Sequence, residues 1–202
     1  MDGLLNGYAR FRAGAWPERK RMFERLAERG QAPRAMVIAC ADSRVDPGMI
    51  FDAGPGELFV VRNVANLVPP YAPDGAHHAT SAALEFGVRV LRVGHLIVMG
   101  HGMCGGITAL IHGGPEQATD FLMPWINIAA KARERVLACD DGGDPQLALE
   151  QAAVALSLEN LRGYPWIAER LADGSMELHG GHFDVRHGIL NLLDPDGTFR
   201  PA

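Results

Sequence analysis

The stretch HLIVMGHGMCGGI, His95 to Ile107, decides how this chain is read. His95-Leu-Ile-Val-Met99 is a mostly apolar run after Gly94, the pattern of a strand buried on both faces of a sheet. Gly100, Gly102 and Gly105 then spell G-x-G-x-x-G, the turn that cradles a dinucleotide pyrophosphate. Asp120 stands about twenty residues on, where a ribose-binding acid is sought. Yet the variable positions hold His101 and Cys104, an H-x-x-C spacing that lets two side chains converge on one metal ion across a strand-to-helix turn.

Ala35-Met-Val-Ile-Ala39 is a second buried run, ending at Cys40, and Leu58-Phe-Val-Val61 a third, after the turn signal Gly54-Pro55-Gly56. Helical patterns cover Asp2 to Gly30 (interrupted at Trp16-Pro17), Thr80 to Leu91, Cys104 to Ile111, Phe121 to Cys139 and Leu147 to Leu161. Met176 to His179 and Ile189 to Leu193 read as strands around a Gly- and His-rich bend, and Asp194-Pro-Asp-Gly197 as a turn. Strands alternating with helices predict an α/β fold.

With 202 residues, 48% of them hydrophobic, the chain can bury the core of one domain. The formal charge of -5 argues against a nucleic-acid partner, and the basic Arg19-Lys20-Arg21 reads as a solvated helix face. No apolar run reaches the roughly 18 residues of a membrane span, and the N-terminus lacks the apolar core of a secretory signal. Three cysteines, an odd and low count, suit a reducing compartment, so a cytoplasmic protein is expected.

Functional groups of open parallel sheets gather beyond the carboxyl ends of strands. Two runs deliver them here: Cys40-Ala-Asp42-Ser-Arg44, and His101-Gly-Met-Cys104. Cys40, His101 and Cys104 make a three-ligand zinc set with a fourth place open. Asp42 and Arg44, two residues apart, can pair beside it, and Cys139 has no partner at ligand spacing. A cysteine phosphatase needs C-x5-R, but the sixth residue after Cys40 is Asp46; the hydrolase elbow G-x-S-x-G is missing too.

CADSRVDP (Cys40–Pro47), PGELFVVRNVANLVPPY (Pro55–Tyr71) and VMGHGMCGGI (Val98–Ile107) resemble the β-class carbonic anhydrases. SLENLRGYP (Ser157–Pro165) and GGHFD (Gly180–Asp184) continue the likeness, which spans about Gln31 to Leu193. The resemblance implies a mostly parallel sheet of four strands plus an antiparallel edge strand, flanked by helices. It implies a catalytic domain over 31–202 and an N-terminal helical arm over 1–30 that wraps a partner in a homodimer or higher homo-oligomer, with active sites at the interface. It places Zn2+ on Cys40, His101 and Cys104, sets the Asp42–Arg44 dyad beside it, and makes Gly105 a backbone donor to substrate. The plant-type branch, to which LVPPY points, further implies Gln31 as a hydrogen-bonding group and Phe59 and Val64 as apolar walls. Phe86 stands where that branch has a tyrosine, so a hydroxyl is missing.

The implied reaction is reversible hydration of carbon dioxide to bicarbonate and a proton by zinc-bound hydroxide. Two thiolates and an imidazole leave such a site less positive than three histidines would, so activity should rise toward alkaline pH. Another branch closes its site with the aspartate on zinc and holds bicarbonate in a pocket built of tryptophan, arginine and tyrosine. Val37, Arg62 and Phe183 stand at those positions, so an open site is expected. Two alternatives remain at this stage: hydrolysis of a carbon-dioxide-like molecule, carbonyl sulfide or carbon disulfide, and a nucleotide-binding module built on the three glycines. A purely structural zinc site is a further, weaker reading.

Overall fold

Ala35–Cys40 (β1) is buried along its whole length, which a strand achieves at the centre of a sheet covered on both faces. The computed structural model, which describes residues 1–139 and 142–202, places it there. β1 pairs in parallel with Leu58–Asn63 (β2) on one side and His95–His101 (β3) on the other. β3 pairs in parallel with Glu177–Asp184 (β4). Ile189–Leu193 (β5) and Phe199–Pro201 (β6) follow, each antiparallel to its predecessor, giving the order β2-β1-β3-β4-β5-β6.

The four parallel strands match the expectation, but the antiparallel part holds two strands, and β6 rather than β5 forms the edge. β6 is short and ends in Pro201, a residue without an N–H that an edge strand tolerates. β4 also runs past the expected bend. Gly180 and Gly181 lie inside it because a helix sits directly on bare backbone: a Cβ at Gly180 would lie 2.9 Å from Leu158 and 3.1 Å from Val154.

Those two side chains belong to Pro145–Arg162 (α8), whose buried Leu149, Ala153, Leu158 and Leu161 recur at helical spacing. Asp144 caps it, accepting a hydrogen bond from the Gln146 N–H. Pro47–Ile50 (α3) follows β1, and Ala79–Glu85 (α4), extended by a π-helical turn over Phe86–Val90, leads from β2 to β3. Gly105–His112 (α5), Leu122–Ile126 (α6), Ala130–Ala138 (α7), α8 and Pro165–Ala172 (α9) connect β3 to β4. The single helix expected over 121–139 is broken by a 3-10 turn, Asn127–Ala129. That tighter turn keeps Ile126, Ala129 and Ala132, three residues apart, all facing the core.

At the N-terminus, Asp2–Ala13 (α1) and Ala15–Arg29 (α2) contain no buried residue. The break falls at Gly14, while Pro17 sits in the first turn of α2, where its missing N–H costs nothing. Leu4, Tyr8 and Phe11 lie exposed along one stripe of α1. Among the described residues no helix is long and apolar enough to cross a membrane.

Candidate metal centre and its surroundings

β1 and β3 are adjacent and parallel, so Cys40 and His101 emerge together at the carboxyl edge of the sheet. Three residues beyond His101, Cys104 returns as the N-cap residue of α5. One ligand atom from each of the three lies within 4.8 Å of the other two, and all three residues are buried. The two sulfurs are 3.9 Å apart. Thiolates at about 2.3 Å from a tetrahedral zinc stand about 3.8 Å from each other, so the sulfur separation fits that ion.

The imidazole is prepared for the same role. His101 Nδ1 lies 2.9 Å from the Gly102 carbonyl, which accepts a hydrogen bond from Nδ1–H and leaves Nε2 with a free lone pair. Nε2 is buried without a hydrogen-bond partner, a costly state for a polar atom unless something binds it. The thiols carry the same message. The Cys104 hydrogen bond draws the Cys40 pKa down, against its burial, to about 4. Holding that bond and a neighbouring thiolate drives the Cys104 pKa far above the ordinary thiol value. Two thiolates this close require a cation between them.

Backbone donors support both sulfurs. The Ala65 N–H reaches Cys40 because Ala65 and Asn66 adopt left-handed backbone, φ 62° and 48°. Non-glycine residues pay for that conformation, and here it turns an N–H toward a ligand sulfur. The Gly106 and Ile107 N–H groups, at the start of α5, point to Cys104 and favour its thiolate.

Asp42 and Arg44 form the expected pair. Arg44 Nε donates to Asp42 Oδ1 at 2.9 Å and Nη2 to Oδ2 at 2.7 Å, while the Arg44 N–H also donates to Oδ1 at 2.9 Å. The guanidinium holds the carboxyl far below the usual carboxylate range. Arg44 Nη2 also donates to the Met103 carbonyl at 2.9 Å, tying the β1 loop to the turn that carries Cys104. Arg62 clamps the same loop from β2, donating to the Cys40 and Asp42 carbonyls and to Asp46.

The sequence reading missed a buried network behind Cys104. Glu150 Oε1 accepts the Cys104 N–H at 2.9 Å, and Glu150 Oε2 lies 3.0 Å from His182 Nε2. Gln146 donates to Glu150 Oε1 as well and to the Cys104 carbonyl. A carboxylate one turn after Gln146, within the otherwise apolar face of α8, was the available signal.

The glycines of the opening stretch do not form a phosphate loop. Gly100 lies within β3, where a Cβ would come 2.7 Å from Val154, and Gly106 similarly abuts Val64. The left-handed residue of the turn is Met103, φ 56°, rather than a glycine. Asp120 lines an apolar groove of about 900 Å3 that touches none of the three ligands.

The expected substrate pocket divides in two. Val64 and Gly105 line a cleft of about 550 Å3 along α5, whose lining includes none of the three candidate ligands themselves. Phe59 pairs with Met36 near the amino end of the sheet and stacks on Phe86, ring centroids 5.8 Å apart, while Gln31 is exposed ahead of β1. Strand rise puts that end of β1 about 17 Å from Cys40. One chain therefore does not bring Gln31, Phe59 and Phe86 to its own Cys40, His101 and Cys104.

With the geometry in hand, comparison with known proteins is specific. The family described as "Carbonic anhydrase" matches residues 35–190. "Beta carbonic anhydrase 3" of Arabidopsis thaliana is 36% identical over 208 residues, covering 100% of this chain and 80% of that protein. A carbonic anhydrase of Pseudomonas aeruginosa is 37% identical, covering 96% of this chain and 88% of its own. The chloroplastic "Beta carbonic anhydrase 5" of Arabidopsis thaliana is 40% identical over 91% of this chain, which spans 62% of that relative's length. Among solved structures, the β-carbonic anhydrase CcaA superposes with a TM-score of 0.93 at 30% identity, covering 100% of this chain and 92% of that one. A tetrameric β-carbonic anhydrase of Sordaria macrospora gives 0.83 at 28% identity, covering 98% of each chain. Fold, ligand constellation and these likenesses agree: the chain belongs to the β-class carbonic anhydrases.

Proposed function

We propose that this chain is a zinc-dependent carbonate dehydratase that interconverts carbon dioxide and water with bicarbonate and a proton. The observation that carries the reading is the partnerless His101 Nε2 converging with two thiol sulfurs beside a carboxylate held at both oxygens. Cys40, His101 and Cys104 would hold the zinc. When bound, the ion supplies a Lewis acid that eases ionisation of a water near neutral pH.

The chain's own groups do the rest. Asp42, kept ionised by Arg44, accepts a hydrogen bond from the incoming water and aims its lone pair at carbon. Val64 offers carbon dioxide an apolar wall, and the Gly105 N–H, at the start of α5, steadies the oxygen that gains negative charge. Gln31, Phe59 and Phe86 complete the pocket from a second copy of the chain. Three observations support such a dimer: β2 has a strand partner on one side alone, Val60 on it is exposed, and α1 carries an uncovered apolar stripe. Ligand thiols must stay reduced, which supports a cytoplasmic location.

Stopped-flow carbon dioxide hydration on zinc-quantified protein, beside Cys104→Ser, tests the reading. Wild type with one zinc per chain should be active, and the variant should lose both zinc and activity. Full activity in zinc-free protein would overturn it.

A further inference from the structure

A second set of metal-ligand side chains lies at the opposite end of the sheet: His95, Glu177 and His179. Strand register builds it. His95 on β3 faces Glu177 directly on β4, and His179 follows Glu177 by two residues, so strand alternation sends both β4 side chains to the same face. Their donor atoms converge: His95 Nδ1 is 3.1 Å from His179 Nε2. Glu177 Oε2 is 3.6 Å from the former and 3.5 Å from the latter.

The two nitrogen–oxygen separations are too long for good hydrogen bonds, and the two nitrogens can share only one proton. As edges of a coordination triangle, all three distances make sense. Ligands about 2.1 Å from one ion stand about 3.0 to 3.4 Å apart at octahedral or tetrahedral angles, a spacing reached here with slight closure. Each side chain is 39% to 67% exposed, so the ion has a path in and room for water on its remaining positions. Backbone fixes two of the approach points, since the His95 and Glu177 N–H groups are both held, by the Arg34 and Gly94 carbonyls.

We propose that His95, Glu177 and His179 bind one divalent transition-metal ion, of the nickel-to-zinc class that two imidazoles and a carboxylate favour. The ion ties the amino end of β3 to that of β4. The site is separate from the catalytic centre, uses none of its residues, and stands whether or not the chain hydrates carbon dioxide.

Isothermal titration with Zn2+ on tag-free protein already carrying one catalytic zinc per chain tests it. One further equivalent should bind, with a Kd on the order of micromolar. His95→Gln and His179→Gln should each weaken it at least about tenfold, leaving the first zinc and the hydration rate unchanged, whereas His112→Gln should have no effect. Wild type alone provides a second readout: added Ni2+ should broaden the NMR signals of His95 and His179 before those of other histidines. Absence of a further equivalent, a further equivalent that survives both substitutions, or broadening that spares these two histidines would each overturn the site.

Discussion

At the scale of single residues, the centre is governed by where charge can be held. Two thiolates and a neutral imidazole cancel the charge of a bound dication, so ionisation of a water there is less favoured than at a three-histidine site, whose value is about 7. Hydration should therefore accelerate from neutral to alkaline pH; a flat profile between about pH 6 and 9, with chemistry limiting, would contradict this. Arg44 holds no metal but fixes Asp42 through three hydrogen bonds. Arg44→Gln should lower kcat/KM about 10²-fold while zinc content stays at one per chain, because a misplaced acceptor loses orientation rather than metal. Glu150 is different in kind. It is 3% exposed and bonded to Cys104 and His182, so Glu150→Leu strands two buried donors. We expect a loss of about 3 kcal/mol in urea unfolding of the zinc-loaded protein; a loss below 1 kcal/mol would mean that the pair is not structural.

At the scale of elements, glycine does the positioning by absence of a side chain. β3 can carry α8 only because Gly100 leaves room for Val154, and β4 only because Gly180 leaves room for Leu158. In Gly100→Ala the new Cβ would meet a stiff β-branched side chain at 2.7 Å. The expected cost is about 1 to 3 kcal/mol, largely recovered in Gly100→Ala/Val154→Ala, and a purely additive double variant would contradict the packing account. These same contacts explain which elements were legible. The apolar runs of β1 and β3 read directly as buried strands. Gly180-Gly181 read as a bend, because glycine signals a turn locally and close packing only once α8 is in place. The helix over 121–139 kept its residues but changed its winding, to satisfy a core spacing of three.

At the scale of the whole molecule, the candidate site is legible on the metal side and split on the substrate side. Cys40, Asp42, Arg44, His101 and Cys104 converge within one chain, while Gln31, Phe59 and Phe86 gather toward the other end of the same strands. A site shared between two copies has a quantitative consequence. Cys104→Ser and Gln31→Ala, each inactive or impaired alone, should on subunit exchange form mixed dimers with one intact site. Random pairing then recovers about one quarter of wild-type activity in the mixture. No recovery despite proven exchange would place Gln31 and the metal in one chain's site and refute the shared pocket.

The alternation of strands and helices, the three candidate metal ligands and the Asp42–Arg44 pair can all be read along the chain alone, because each lies in or directly after a strongly apolar run. Three other features arise only once the chain is folded: the strained Ala65 turn behind Cys40, the Glu150–His182 support of Cys104, and the His95–Glu177–His179 cluster. Their partners lie far apart along the chain, and only strand register and helix packing bring them within bonding distance.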